Sequence, residues 1–171
     1  MSCLRGLAGL LVLGCVLAGG STGLRGQEPA SAAHTWKTYT NVRFQYSICY
    51  PADLLVPQGE PENADGQKFL AKDGARLMVF GSNNALEQSL DAFLAQTEVR
   101  LGGPSGSVTY KVMKNDRFVV SGRSGSDIFY AKALSGHDQF KSMELVYDHA
   151  EATVYAPLVD RLAGCFVDLA H

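Results

Sequence analysis

The sequence lacks a strong excess of charge of either sign. Its 171 residues include 15 Lys and Arg against 17 Asp and Glu, a formal net charge of -2, and no block of five or more like charges occurs. Because a polyanion needs a basic surface to bind, we expect no nucleic-acid partner. The hydrophobic content of 46% argues against intrinsic disorder. The length predicts one domain that can bury a core.

Motifs for covalent catalysis and phosphate binding are also missing. Two segments, Gly103–Ser107 and Ser121–Ser126, are rich in Gly and Ser. Neither has the Gly-x-Ser-x-Gly spacing of a nucleophile elbow or the spacing of a phosphate-binding loop. We therefore predict that both are ordinary loops, and we predict no catalytic residue and no cofactor.

Metal-ligand spacing is absent as well. The histidines have no i, i+4 or His-x-His pairing, and they are His34, His137, His149 and His171. Acidic and amide side chains crowd the segment from Glu60 to Gly66, as in a calcium loop, but the EF-hand spacing and its bidentate Glu are not there. We expect exposed histidines, a solvated loop and no metal site.

The first 20 residues have the layout of a secretory signal peptide. Arg5 precedes an apolar run from Leu7 to Ala18, and small residues follow. The run is too short for a membrane-spanning helix, so we predict no transmembrane segment in the mature chain. We predict a signal peptide over 1–20, a flexible linker over 21–34 and one folded domain over 35–171. Three cleavage positions stay open: before Gly19, one residue to either side of it, and a later site near Ala30-Ser31-Ala32.

A lipid anchor is the alternative outcome of export. Val12-Leu13-Gly14-Cys15 resembles a bacterial lipobox, in which the cysteine is acylated and becomes the first mature residue. Against this, the apolar run continues from Val16 to Ala18, where lipoproteins usually turn polar. The predicted location is therefore periplasmic or secreted, with a membrane-anchored lipoprotein modified at Cys15 as the alternative.

The mature chain keeps two cysteines, Cys49 and Cys165, and we predict that they form a structural disulfide. The compartment beyond an export signal is oxidising. A catalytic thiol or a metal site is the rival interpretation, but there is no Cys-x-x-Cys motif and no histidine at metal-ligand spacing from either cysteine. Closing a loop with a sequence separation of 116 residues contributes about 4 to 5 kcal/mol in the chain-entropy model.

Periodicity predicts mostly antiparallel strands. A hairpin is expected over 36–50, and further strands over 67–71, 75–80, 108–113, 117–121, 127–134 and 140–147. A helix is predicted over 85–100, with Asn84 as its N-cap and Glu87 in the capping-box position. A second helix, from Pro157 to Leu169, places Cys165 on its apolar stripe.

The position of Cys49 constrains the fold. Phe44, Tyr46 and Ile48 alternate with polar residues, and Cys49 falls on the polar side of that strand. A bond from there to the buried stripe of a helix requires helices on both faces of the sheet, or a β-bulge near Pro51. We favour the first. The predicted fold is α+β, with a central antiparallel sheet of about six strands between helices, an α-β-α sandwich.

This arrangement resembles the PsbP-like fold. The residues that carry the likeness are Tyr39-Thr40-Asn41, Phe44 to Pro51, Leu145 to Tyr147, and the helix from Pro157 to Leu169. The pattern is also similar to small uncharacterised exported bacterial proteins. Members of this fold class act mainly as accessory or adaptor subunits, so the resemblance implies binding rather than catalysis. It carries no site residues over to this chain.

Three functions follow as hypotheses. The leading one is a non-enzymatic accessory or adaptor protein of the bacterial cell envelope, whose partner is another envelope or secreted protein. The alternatives are a periplasmic inhibitor or immunity protein against a secreted enzyme, and a small hydrolase with an unrecognised site. We expect the partner surface on the loops Leu55 to Gly66 and Gly122 to Ser126. The aromatic residues of 36–50 are expected in the core rather than on a stacking platform.

Overall fold

The computed structural model describes residues 34–170, which form two antiparallel sheets and three α-helices. The seven-stranded sheet has the order β3-β4-β5-β9-β8-β7-β6, and the three-stranded sheet has the order β1-β2-β10. The strands are β1 (Trp36–Asn41), β2 (Tyr46–Pro51), β3 (Val56–Pro57), β4 (Gly66–Leu70), β5 (Arg76–Asn83), β6 (Ser107–Lys114), β7 (Arg117–Ser124), β8 (Asp127–Gly136), β9 (Gln139–Asp148) and β10 (Val167–Asp168). The helices are α1 (Leu90–Gly102), α2 (Ala152–Tyr155) and α3 (Val159–Cys165).

The predicted signal peptide, Cys15 and all but the last residue of the predicted linker lie outside the described residues, as does His171. His34 ends that linker, and its Nδ1 lies 2.7 Å from Oδ2 of Asp53. The backbone N–H of Thr35 donates to the other oxygen of Asp53 at 2.9 Å. The hydrogen bond with His34 lowers the pKa of Asp53. His34 is therefore half-buried and paired, whereas the sequence predicts an exposed side chain.

The long strands of the larger sheet are joined by tight turns. His137 and Asp138 connect β8 to β9 with φ values of 53° and 56°. Positive φ at both central residues is the conformation of a type I′ turn, which matches the twist of the strands it joins. The sheet therefore continues almost to the turn, and the break predicted over Ser135–Gln139 is shorter than expected.

Each face of the seven-stranded sheet has its own apolar core, and β9 contributes to both. Met143 and Leu145 belong to the core that includes the three-stranded sheet, because they pack in one cluster with Tyr46 and Ile48. Phe140 and Val146 point the other way, into the core under α1. This alternation is the period of two that a strand imposes on its side chains.

The strand that carries Cys49 is not part of the larger sheet. The sequence predicts one sheet of about six strands, whereas β1 and β2 form a separate sheet with β10. The apolar side of β2 packs against the larger sheet, since Tyr46 and Ile48 are fully buried in the shared core. The polar side, with Cys49, faces α3, and the predicted disulfide to Cys165 is present with the two Cα atoms 5.7 Å apart.

The C-terminal helix is shorter than predicted. It ends at Cys165, and Phe166 has an extended conformation with φ −80° and ψ 104°. The chain then forms β10, whose Val167 and Asp168 pair with Ser47 and Tyr46 of β2. Leu162 and Phe166 are fully buried, as an apolar stripe on the predicted helix requires, but pairing with β2 replaces the last helical turn.

The first helix also starts later than predicted. Its N-cap is Ser89, whose Oγ accepts from the N–H of Ala92 at 3.2 Å. Asn84 instead holds a turn before the helix, accepting from the N–H of Gln88 at 2.8 Å through its side-chain oxygen. Glu87 has a φ of 49°, which no helical residue has, so the predicted capping box does not form.

Candidate binding groove

Helix α1 covers only part of its face of the larger sheet. It packs against β6, β7 and β8, with Phe93 stacked on Phe140 at 4.3 Å between ring centroids. Two side chains of β5 share this face, because Met78 lies opposite Glu144 of β9 and Phe80 lies opposite Ser142. Beyond the edge of α1, Met78 stays exposed and Phe80 is half-exposed.

These two side chains form the floor of an open groove of about 450 Å³. Its walls are the segment Gln58–Pro61 and residues of β4, and we call it the β4–β5 groove. Lys68 of β4 is exposed and lies directly opposite Met78. On the far side of Phe80, the guanidinium of Arg100 lies 5.8 Å from the ring centroid. The groove thus has an apolar floor and a charged rim.

Arg100 owes its position to a buried carboxylate. Both of its terminal nitrogens donate to the two oxygens of Glu144 at 2.5 Å, and Glu144 is only 2% exposed. A bidentate pair of this kind fixes the plane and direction of the guanidinium. The last turn of α1 is therefore attached to the sheet next to the groove.

The loop that walls the groove is tied to the three-stranded sheet. Tyr39 of β1 donates its hydroxyl to Glu60 at 2.6 Å, and the side-chain amide of Asn41 donates to the carbonyl of Ala64 at 3.0 Å. Burial, together with the hydrogen bond to Glu60, raises the pKa of Tyr39 to about 12. The guanidinium of Arg43 also donates to the carbonyl of Asn63. The loop is therefore held by several hydrogen bonds to residues on or beside the smaller sheet.

Gly66, at the end of this loop, allows the closest approach. A Cβ atom at this position would lie 1.9 Å from the carbonyl oxygen of Val79. Only glycine permits the backbone of β4 to start so close to β5. A larger residue at position 66 would push β4 away from β5 and change the shape of the groove.

The groove combines apolar, charged and amide groups. Its lining residues supply two carboxylates, Glu60 and Asp65, one ammonium, Lys68, and two amides, with no Ser, Thr, Cys or His among them. Two acidic residues of the loop, Glu60 and Asp65, accept hydrogen bonds from neighbouring residues. Asn63, for example, donates its side-chain amide to Asp65 at 2.8 Å. Across residues 34–170, no three His, Cys, Asp or Glu side chains come together as metal ligands would.

The other candidate residues from the sequence lie apart from the groove. His137 and His149 are exposed, the first at a turn and the second directly after β9. The segment Gly122–Ser126 is less of a loop than predicted, because β7 extends to Ser124. Ser124 donates its hydroxyl to the carbonyl of Gly102 at 2.8 Å and so holds the end of α1.

The aromatic residues of 36–50 lie in or against the core, as predicted. Phe44, Tyr46 and Tyr50 are buried, and Tyr46 meets Phe166 edge-on with 5.8 Å between ring centroids. Trp36 is half-buried beside the guanidinium of Arg161, which lies 4.2 Å from the ring centroid. These rings are engaged by the protein itself.

Sequence reasoning found the loop but missed the floor of the groove. The signal was present in Leu77-Met78-Val79-Phe80, where both faces of the strand are apolar. A strand that is apolar on both faces predicts cover on both. What the pattern does not reveal is that α1 stops short of β5 and leaves that cover incomplete.

A seven-stranded antiparallel sheet joined to a three-stranded sheet and helices is a PsbP-like fold. The chain is similar to the solution structure of cyanobacterial PsbP (CyanoP) from Synechocystis sp. PCC 6803, with a TM-score of 0.59 and 14% sequence identity over 87% of this chain and 98% of that one. At this identity the likeness concerns the fold alone. No protein-family model and no curated protein matches the sequence. Between His34 and Ala170, no helix has the length and apolarity to cross a membrane.

Proposed function

We propose that this chain is an exported, non-enzymatic binding protein, an accessory or adaptor subunit of the bacterial cell envelope. Its partner is another envelope or secreted protein. The observation that carries the proposal is the β4–β5 groove, with Met78 and Phe80 as an apolar floor inside a rim of Glu60 and Lys68. An apolar centre within a polar rim is the usual composition of a protein–protein interface.

The groove also favours binding because its wall is already held in place. The hydrogen bonds from Tyr39 to Glu60 and from Asn41 to Ala64 exist without a partner. A preformed wall lowers the entropy lost when the partner docks. The PsbP-like fold supports the proposal at the level of fold only.

Export rests on two features of the chain. The first 20 residues have the composition of a signal peptide, and the disulfide between Cys49 and Cys165 suits an oxidising compartment. We propose a periplasmic or secreted protein, with a lipoprotein acylated at Cys15 as the alternative. Substituting Cys15→Ala separates them, since the substitution releases the protein from membranes only if Cys15 carries lipid.

We also interpret the C-terminal segment as the second helical layer of an α-β-α sandwich. Two contacts with the larger sheet support this. Lys132 of β8 donates to the carbonyls of Ala163 and Phe166 at 2.7 and 3.0 Å, and Tyr155 of α2 stacks on Tyr147 of β9 at 5.3 Å. In this interpretation α1 and α3 lie on opposite sides of the molecule.

The function is tested by capture from the native envelope with the oxidised mature protein as bait. The informative variant is Met78→Glu, which places a charge in the floor of the groove, between Lys68 of opposite charge on β4 and Glu144 of like charge on β9, so its stability is measured alongside binding. The matched control is Leu86→Glu, because Leu86 is 91% exposed and lies outside the groove. Thermal unfolding of both variants checks that they are folded.

We expect one partner to be retained by the wild-type protein and by Leu86→Glu, and lost with Met78→Glu. Equal retention by all three baits would mean that the groove is not the binding site. If the captured partner is a secreted enzyme that loses activity in the complex, the inhibitor alternative replaces the adaptor. Turnover of an ester or glycoside substrate by the purified protein would instead favour the hydrolase.

A further inference from the structure

The two edges of the seven-stranded sheet are very different. At one edge, β3 has only two residues and the second is Pro57, which has no N–H to offer. At the other edge, β6 has eight residues from Ser107 to Lys114, and all but Met113 are exposed. Among residues 34–170, β7 is the only strand that pairs with β6.

An unprotected edge of this length can accept another strand. Every second residue of β6 directs its N–H and C=O away from β7, and these groups form a row of donors and acceptors. A β-bulge between Val108 and Tyr110 shortens the regular row to Tyr110–Lys114. Five residues are enough for a short antiparallel ladder, which is how extended peptides add to sheet edges.

On the face away from α1, β6 presents Tyr110 and Val112, with Lys114 at the end of the same face. Tyr110 is 55% exposed and Val112 is 38% exposed. They lie opposite Ser121 and Val119 of β7, and Ser121 in turn lies opposite Tyr130 of β8. An added strand would extend this apolar surface, because cross-strand aromatic and β-branched pairs stabilise a sheet.

The charge at this edge is basic. The hairpin of β6 and β7 holds four basic residues, Lys111, Lys114, Arg117 and Arg123, against one acidic residue, Asp116, in a chain of net charge -2. Lys111 is paired with Glu98 of α1 at 2.7 Å, and Arg117 with Asp116 at 3.2 Å, while Lys114 and Arg123 are exposed. If two copies of β6 paired with each other, their lysines would lie close together. The resulting repulsion opposes self-pairing of this edge.

We propose that β6 binds an extended segment of a different protein, in which β-branched or aromatic residues alternate with Asp or Glu. The apolar residues of that segment lie beside Tyr110 and Val112, and its carboxylates lie on the α1 side, beside Lys111. Lys114 lies at the end of the Tyr110 and Val112 face and adds to the basic charge of the edge. The larger sheet then has eight strands. This surface is separate from the β4–β5 groove, since β4 and β6 lie towards opposite ends of the strand order.

The probe is a synthetic nine-residue peptide of alternating glutamate and valine with blocked ends, and its control has lysine in place of glutamate. Binding to the oxidised protein is measured by fluorescence anisotropy at low and high salt. Amide hydrogen exchange locates the site. We expect the acidic peptide to bind, to protect amides of β6, and to bind more weakly at high salt.

Two protein variants test the site. Val112→Glu adds a like charge to the path of the peptide and should weaken binding about tenfold or more. Val42→Glu is the matched control, because Val42 is 85% exposed in the turn between β1 and β2. Lys114→Glu changes charge alone and should weaken binding less than Val112→Glu, while a thermal melt confirms that each variant is folded.

The proposal fails if the acidic peptide does not bind, if the lysine peptide binds equally well, or if protection appears away from β6. Light scattering tests the alternative that β6 pairs with a second copy of this chain. A dimer that becomes a monomer with Val112→Glu, but not with Val42→Glu, would replace the proposal with self-pairing. Because Met78→Glu leaves β6 intact, loss of groove binding and loss of edge binding are distinguishable.

Discussion

The two faces of the seven-stranded sheet are covered in different ways. One face is covered by a single helix of 13 residues, α1, anchored by Phe93 and by the pair of Arg100 with Glu144. The other is covered by the three-stranded sheet, whose strands come from both ends of the described chain. The disulfide Cys49–Cys165 joins β2 of that smaller sheet to helix α3. Helix α1, on the other face, is held by non-covalent contacts.

Which cover carries a covalent bond follows from how far apart in sequence its contacting elements are. Helix α1 is followed closely by β6 and β7, and its contact with β9 through Arg100 and Glu144 spans 44 residues, so docking it closes shorter loops. Joining β2 to α3 closes a loop with a separation of 116 residues, and the entropy lost on closure grows with loop length. The cross-link is therefore located where non-covalent assembly has the largest entropy to overcome. The face with local contacts does without it.

Breaking the disulfide should have the largest effect. For Cys165→Ser, or after reduction, we expect the free energy of unfolding to fall by about 4 kcal/mol, since the unfolded chain regains the freedom of a long loop. Hydrogen exchange should show that α3, β10 and β2 open before β7, β8 and β9. Two reactive thiols in the untreated native protein would contradict the bond itself and reopen the catalytic-thiol interpretation.

Removing the guanidinium of Arg100, on the face covered by α1, should have the next largest effect. Arg100→Met leaves the carboxylate of Glu144 buried without its partner, and we expect a loss of about 3 kcal/mol in unfolding free energy. Adding Glu144→Met should restore much of that stability, because no buried charge remains. The control is Arg123→Met, at an exposed position. Equal losses for Arg100→Met and Arg123→Met would show that the pair contributes nothing.

A smaller loss of stability is expected when the ion pair of the buried Lys141 is removed, on the face covered by the three-stranded sheet. Lys141 is 1% exposed and donates to Asp168 of β10, with the carbonyl of Gln45 3.5 Å away. Asp168→Asn removes the charged acceptor, and urea unfolding should show a loss of about 2 kcal/mol. Asp138→Asn, at an exposed turn, is the control and should change little. If both variants unfold like the wild type, Lys141 does not depend on its ion pair.

The smallest effect is a pH dependence at the start of β1. The folded pKa of Asp53 is lowered by His34, so the contact stabilises the protein above the unfolded pKa of about 3.9 and is lost as the pH falls through the folded pKa. The stability difference between the wild type and Asp53→Asn should therefore be full at pH 6 and should shrink as the pH falls below about 3.9. Because the site is exposed, we expect a difference below about 1 kcal/mol. A difference that does not shrink at all as the solution is made more acidic would contradict this assignment.

Much of the fold could be predicted because strand alternation is local. The pattern of Phe44 to Tyr50 correctly indicated which side of β2 is buried and that Cys49 needs cover on the opposite side. The same pattern could not reveal that β2 leaves the larger sheet, since a strand buried on one face looks alike in either sheet. The N-cap was misplaced for a similar reason. Asn84 and Ser89 both suit a cap, and backbone geometry at Glu87 decides between them.

The candidate binding surfaces were harder to predict because they depend on what is left uncovered. Exposure of Met78 follows from where α1 ends across the sheet, and exposure of β6 follows from its place at the end of the strand order. Neither is a property of the residues alone. Part of the loop Leu55 to Gly66 does line the groove, and the expectation that it carries a partner surface stays a prediction, based on its irregular composition as a local signal.

Lys141 and Glu144 have one more consequence for the sheet. They lie on β9 with opposite charges, and they point to opposite faces because they are three residues apart. If β9 slipped by one residue against β5 and β8, every side chain would change faces. The ammonium would then lie under α1 without Asp168, and the carboxylate would lie under the smaller sheet without Arg100. Both errors cost free energy at once, so this pair of charges disfavours a one-residue slip of the central strand.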